Sequence, residues 1–150
     1  MTEPSSSLEL SIAAEPASVR LLRTEVLRWF HDQRVGDEQL GAAIALATSE
    51  AVANVVSHAY GDEPGRVELD AQRDEDDIMI RVCDRGPGLS ARSGPSTGLG
   101  LPVIGRVSNG VTVSSNAEGT TVSMRFALPH ARAHSRFDRI ARAAHEIVHP

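Results

Sequence analysis

Glu50 and Asn54 lie four positions apart in an apolar segment with helical periodicity. This spacing puts both on one helix face, and each precedes a residue of the apolar stripe, so we expect them at the edge of the buried face. A carboxylate there can orient or deprotonate an attacking hydroxyl. An amide oxygen there can bind Mg²⁺, which prefers hard oxygen ligands and takes few of them from protein. Taken alone, the pair is more typical of ordinary solvated polar side chains.

Asp84 directly follows the apolar run 78–83 and opens the segment Asp-Arg-Gly-Pro-Gly. A carboxylate at the end of a buried strand can accept a hydrogen bond from an adenine amino group. Gly86 and Gly88 permit backbone angles and a close ligand approach that larger residues forbid. The alternative is a plain turn, for which this composition is also common.

Glycines mark a later helix start as well, at Gly98 and Gly100. A glycine-lined helix N-terminus offers free N–H groups and a positive dipole end to phosphate. The Gly-, Pro- and Ser-rich residues 84–98 predict a long loop, which is either a cover over a ligand or an ordinary surface loop. Thr120 opens the last predicted strand, where its hydroxyl either contacts a ligand or only follows a hairpin turn.

All fifteen basic residues of the chain are arginine, so it contains no lysine. A P-loop and a eukaryotic-type protein kinase both need a lysine on the phosphates, and both are therefore excluded for this chain. If the chain handles ATP, then backbone N–H groups, hydroxyls, arginines and a metal must neutralise the phosphates. Arg85 and Arg92 flank the proposed site, although surface positions explain them equally well.

The elements that must position these residues follow from the periodicity. Helices are predicted from Pro16 to Gly36 and from an N-cap at Asp37 to Gly61, the second with a stripe of Leu40, Ile44, Ala47, Ala51 and Val55. Further segments are strands at 8–12, 67–71, 78–83, 111–113 and 122–128, and a helix from about 99 to 107. Two helical stripes need a sheet to cover, so we predict an α+β fold, a two-layer sandwich with a mixed, mainly antiparallel sheet.

Composition limits the class of protein. With 150 residues the chain has room for one domain, which we place at 8–128, between a disordered N-terminus (1–7) and a helical extension (129–150). The net charge of −5 argues against nucleic-acid binding, and no apolar run or signal peptide indicates a membrane or export. The single cysteine, Cys83, cannot form an internal disulfide, which favours the cytoplasm.

In their order and spacing, these segments resemble the sequence boxes of the GHKL ATPases. Glu50–Asn54 is similar to their N-box, Asp84–Gly88 to their Asp-x-Gly-x-Gly box, and Thr97–Leu101 to their glycine-rich lid box. Within that superfamily, Ser49–Asn54 with His58–Tyr60, and Gly119–Val122, resemble the bacterial anti-sigma-factor serine/threonine kinases. The resemblance covers residues 8–128.

The resemblance implies a Bergerat ATP-binding fold and phosphoryl transfer from Mg-ATP to a serine of an anti-sigma-factor antagonist. It also implies a kinase homodimer that sequesters a sigma factor, with Arg20 or Arg23 as candidate partner contacts. By position, the implied roles are a general base at Glu50, a magnesium ligand at Asn54, an adenine contact at Asp84 backed by Thr120, an adenine pocket shaped by Gly86 and Gly88, and lid and phosphate contacts at Gly98, Leu99, Gly100 and Leu101.

Two alternatives remain open. The chain could be an ATP-binding switch or a partner-binding module without phosphoryl transfer. The sequence His145-Glu146-Ile147-Val148-His149 also matches a zinc-hydrolase pattern, but no third ligand follows it in the chain. The apolar stripe in the same segment predicts instead a helix that packs on its own domain or on a partner.

Overall fold

The computed structural model describes residues 5–88 and 101–130. In chain order its elements are β1 (Ser7–Ala13), α1 (Pro16–Asp32), α2 (Glu38–Asn54), a π turn (Val55–Ala59), β2 (Arg66–Arg73), β3 (Asp77–Asp84), α3 (Leu101–Val107), β4 (Gly110–Asn116) and β5 (Gly119–Ala127). The strands form one sheet in the order β1-β2-β3-β5-β4. The α+β architecture is confirmed.

All four strand pairings of this sheet are antiparallel. Strands β2 and β3 form one hairpin, and β4 and β5 form another. Strand β1 also runs antiparallel to β2, and β3 runs antiparallel to β5. The described residues therefore lack the parallel pair that a mixed sheet would contain.

Alternation of side chains gives the sheet one face under the helices and one open face. On β3 the buried positions are Ile78, Ile80, Val82 and Asp84, and on β5 they are Thr120, Val122, Met124 and Phe126. Each strand thus continues its apolar row into one polar residue at the same end of the sheet. That end is where the candidate site lies.

Helix α2 and the π turn that follows it carry the predicted stripe, whose members are all buried. It begins where Asp37 Oδ1 accepts the Leu40 N–H at 3.0 Å, as the N-cap prediction required. Its other end differs from the prediction, because the α-helix stops at Asn54 and a π turn runs over Val55–Ala59 before Gly61. The wider turn holds one extra residue compared with an α-helical turn.

The helical stretch Glu38–Ala59 has 22 residues, and an 18-residue window within it has a mean hydropathy of 1.4, so length and composition alone would let it span a membrane. This differs from the expectation that no apolar run of the chain is long enough to cross a membrane. The helix forms the centre of the core, where Ile44 and Val52 are fully buried under α1 and against the sheet. Its apolar character is therefore that of a core helix.

The expected disordered N-terminus does not extend as far as Ser7. Strand β1 begins at Ser7, and the Ser5 carbonyl accepts hydrogen bonds from Trp29 Nε1 at 3.2 Å and Gln33 Nε2 at 2.8 Å. These donors, one in α1 and one at its C-cap, fix the chain two residues before the strand.

Strand β5 leads into Leu128, which is 1% exposed and donates its N–H to the Asp76 carbonyl. His130 follows with a ring nitrogen 3.5 Å from Asp76 Oδ1. Residues 131–150 lie outside the described structure. The predicted extension and the His145/His149 pair are therefore not described.

Candidate functional site

Asp84 and Thr120 form the centre of the candidate site. They face each other across β3 and β5, and both side chains lie on the helix-covered face. Each residue is only 7% exposed. Asp84 Oδ1 accepts the Gly86 N–H at 3.0 Å, and the Thr120 and Ser115 hydroxyls are 2.9 Å apart. A buried carboxylate with a hydroxyl beside it suits recognition of a ligand that donates hydrogen bonds.

Glycines let two other segments approach this pair closely. A Cβ on Gly86 would overlap the carbonyl oxygen of Ala59, at the end of the π turn. Gly88 has φ of 86°, and a Cβ there would overlap the carbonyl oxygen of Asn116 in the β4–β5 hairpin. The turn after Asp84 is therefore wedged between the helix end and the hairpin.

Glu50 and Asn54 lie on the last two turns of α2, and both are half-buried. This agrees with their expected place at the edge of the buried face. The π turn begins directly after Asn54, and its last residue, Ala59, contacts Gly86. The same helix end thus carries the two polar side chains and supports the turn that follows Asp84.

The lid positions divide between the described and undescribed parts of the chain. Gly98, Leu99 and Gly100 lie outside the described residues. Leu101 is the first residue of α3 and packs against the core, and Ile104 of the same helix is fully buried. The predicted helix after the loop is confirmed from Leu101 onward.

The side chain of Arg85 does not belong to the site. Its guanidinium lies 3.1 Å from Glu68 Oε1 on the open face of the sheet, and its side chain is 78% exposed. The surface interpretation of this residue therefore holds. Arg92 lies outside the described residues.

The open face holds a groove of about 450 Å³. Its lining includes Glu9, Asp70 and Cys83, but neither Asp84 nor Glu50. Burial raises the pKa of Asp70 from 3.8, and the neighbouring Glu9 carboxylate adds to this effect while the Arg81 guanidinium opposes it. This perturbed carboxylate is thus on the opposite face from the candidate site.

The donor set limits which metals the described residues can hold. Residues 5–88 and 101–130 contain no group of three or more His, Cys, Asp or Glu placed to bind one ion. A structural or catalytic zinc centre needs such a group. Mg²⁺ does not, since it keeps waters and substrate phosphates as ligands and takes few from protein.

Two contacts of the site were not foreseen from the sequence. One is the Ala59 carbonyl against Gly86, and the other is Tyr60, whose hydroxyl accepts the Arg85 N–H at 2.8 Å. In the sequence, Tyr60 is notable only as part of the family resemblance. Nothing local in the chain signals a contact between residues 25 positions apart.

Comparison with known proteins gives the class of the domain. A family model described as a histidine kinase-like ATPase domain matches residues 12–126. The chain belongs to this family, and the predicted relationship to the GHKL ATPases is confirmed. Membership in an ATPase family supports ATP as the ligand.

Solved structures agree on the fold. The RsbU and RsbW domains of Rv1364c from Mycobacterium tuberculosis match with a TM-score of 0.63 and 24% identity, covering 83% of this chain and 33% of that one. The histidine kinase domain of the blue-light activated histidine kinase from Erythrobacter litoralis EL346 matches with a TM-score of 0.52 and 20% identity. The match covers 63% of this chain and 48% of that one. The chain thus spans less than half of either matched chain. A search of curated protein sequences found no match.

Proposed function

We propose that the chain is an anti-sigma factor with serine/threonine protein kinase activity. It would bind Mg-ATP, phosphorylate a serine of an anti-sigma-factor antagonist and sequester a sigma factor in the cytoplasm. Family membership supports the ATP-binding part. The anti-sigma part is supported by the motifs Ser49–Asn54 and Gly119–Val122. We assign this activity to residues 8–128 and treat 129–150 as an extension.

The pair of Asp84 and Thr120 is the observation that carries the proposal. These two polar side chains lie at the end of the buried apolar rows of β3 and β5, and both are almost fully buried. Burying a carboxylate is costly unless it has partners, and the described protein partner of Asp84 Oδ1 is a single backbone N–H. An adenine amino group would supply a further hydrogen-bond donor to Asp84. The neighbouring Thr120 would support that contact.

The remaining roles follow from the helix end and the lid. Asn54 would offer an amide oxygen to Mg²⁺, and Gly98, Leu99, Gly100 and Leu101 would contact the phosphates. Bound magnesium supplies charge neutralisation that a lysine supplies in other kinases. Since the chain has no lysine, backbone amides and arginines must supply the rest.

Glu50 is the residue that we assign to proton transfer. It would accept the proton of the substrate serine hydroxyl while that oxygen bonds to the γ-phosphorus. The bond from the γ-phosphorus to the β–γ bridging oxygen breaks, and ADP leaves. The half-buried position of Glu50 on the same helix face as Asn54 supports this assignment.

Partner binding is proposed for the outer surface of α1. Arg20 and Arg23 are both exposed there, and Leu21 between them is 55% exposed. An exposed leucine between two cations suits a partner with acidic and apolar groups. We propose a homodimer with a sigma factor and the antagonist as partners, and no nucleic acid or membrane.

A phosphoryl-transfer assay tests the proposal. Glu50→Ala should retain ATP affinity but lower transfer of labelled phosphate at least about a hundredfold, because proton transfer is lost. The substrate is first captured from native cells with and without ATP and identified by mass spectrometry as a serine-phosphorylated protein. Glu38→Ala, at the exposed start of the same helix, is the matched control.

Two results would contradict the proposal. Normal phosphoryl transfer by Glu50→Ala would show that Glu50 is not the general base. Capture of a sigma factor and antagonist without any label transfer by the wild-type protein would favour the alternative, an ATP-dependent binding switch.

A further inference from the structure

Tyr60 stands at the point where strands β2 and β3 stop pairing. The last pair of their ladder is Glu68 with Cys83, and the same register continued by two residues would put Arg66 opposite Arg85. That pair does not form. The Tyr60 hydroxyl lies there instead, accepting the Arg85 N–H at 2.8 Å and donating to the Arg66 carbonyl. The side chain thus replaces a direct bond between the strands and separates their ends.

The Arg85 nitrogen belongs to the peptide group that follows Asp84. A hydrogen bond to it therefore restricts the backbone rotation of Asp84 itself. On the other side, Asp84 pairs with Thr120 of β5, and its carboxylate accepts the Gly86 N–H. The acid is fixed through its strand, its carboxylate and the peptide that Tyr60 holds.

The position of Tyr60 is itself determined from two directions. It is the C-cap residue of the π turn, so the end of that turn fixes the backbone from which the side chain extends. Its ring lies against Gly65, where a Cβ would overlap the ring. Both features aim the hydroxyl into the gap between the strands.

We infer that Tyr60 is a positioning residue that orients Asp84 and thereby sets the preference for adenine over guanine. This inference rests on the proposed ATP site. An ionised carboxylate only accepts hydrogen bonds, so it favours the 6-amino group of adenine and disfavours the 6-oxo group of guanine. This discrimination depends on the direction of the carboxylate, which the Tyr60 hydroxyl maintains.

Tyr60→Phe tests the inference, because it removes the hydroxyl and keeps the ring against Gly65. We expect the Kd for Mg-ATP to rise about tenfold and the ratio of GTP to ATP Kd to fall by a similar factor, while kcat at saturating ATP stays within about twofold. Gly65→Ala, which displaces the ring, should have the same effects. Thr121→Val is the matched control, since it removes a hydroxyl that contacts Cys83 from the open face.

Amide hydrogen exchange of the nucleotide-free protein supplies a readout that does not depend on ATP. Exchange of the Arg85 N–H should accelerate about tenfold in Tyr60→Phe and stay unchanged in Thr121→Val. Unchanged exchange and an unchanged nucleotide ratio would overturn the inference. An equal loss of affinity for both nucleotides would also overturn it, because it would mean general destabilisation. If the wild-type protein binds no ATP, the proposed function fails, while the exchange result still decides whether Tyr60 holds the turn.

Discussion

At the scale of single residues, the site depends on a few polar groups at the boundary of the core. Asp84 and Thr120 lie at the end of two apolar rows on the strands. Glu50 and Asn54 lie at the edge of an apolar stripe on a helix. The sequence predicted these positions because each polar residue interrupts or borders a regular apolar pattern. The contact of Tyr60 with Arg85 is not predictable in this way, because it joins distant segments through one hydroxyl.

Asn54→Ala tests the magnesium assignment. The wild-type protein should bind ATP more tightly with Mg²⁺ than with EDTA, and the variant should lose that difference while keeping its affinity in EDTA. Calorimetric titration under both conditions measures this. Gln39→Ala, an exposed change on the same helix, should behave as wild type. A variant that still responds fully to Mg²⁺ would remove Asn54 from the metal site.

At the scale of elements, the sheet separates two polar environments. The helix-covered face ends in Asp84 and Thr120, while the open face carries Asp70 with Glu9 and Arg81 opposite it on the neighbouring strands. In the sequence, residues 78–83 were interpreted only as an apolar run, so this division between two faces was not predicted; it follows from the alternating burial along β2 and β3. The π turn was not predictable, because the apolar stripe continues through Val55 and Ala59 as it would in an α-helix.

Asp70→Asn tests the electrostatics of the open face. The pKa of Asp70 is raised in the folded protein, so the folded state binds more protons than the unfolded state between the two pKa values. Stability therefore falls as pH rises through this window, and the charge is a cost at neutral pH. The variant should be more stable at pH 7, by less than about 1 kcal/mol since water screens the groove, with no difference below about pH 3.5.

Thermal unfolding between pH 3 and pH 7 measures this difference. Asp62→Asn, a change at an exposed carboxylate before β2, is the control and should show no such trend. A variant that is less stable than wild type at pH 7 would mean that the attraction between Asp70 and Arg81 outweighs the cost of burial.

At the scale of the whole molecule, the order of the helices and strands was predictable from the sequence, whereas contacts between distant segments were not. Period-two and helical patterns predicted the two layers, since they record which face of each element is buried. The anchoring of Ser5 by Trp29 and Gln33, and the wedge of Gly86 against Ala59, depend on contacts between distant segments. No local pattern encodes such contacts, and the contact of Gly86 with Ala59 is the one that brings the turn after Asp84 to the end of the helix.

The central claim is that this lysine-free chain binds ATP through Asp84. Calorimetric titration of Mg-ATP into the full-length protein tests it most directly, with Asp84→Asn as the variant. Asp77→Asn is the control, because Asp77 begins the same strand and pairs with Arg125 at 3.2 Å on the open face. We expect wild type and Asp77→Asn to bind alike and Asp84→Asn to bind at least about tenfold more weakly. Equal binding by Asp84→Asn, or no binding by the wild type, would contradict the claim.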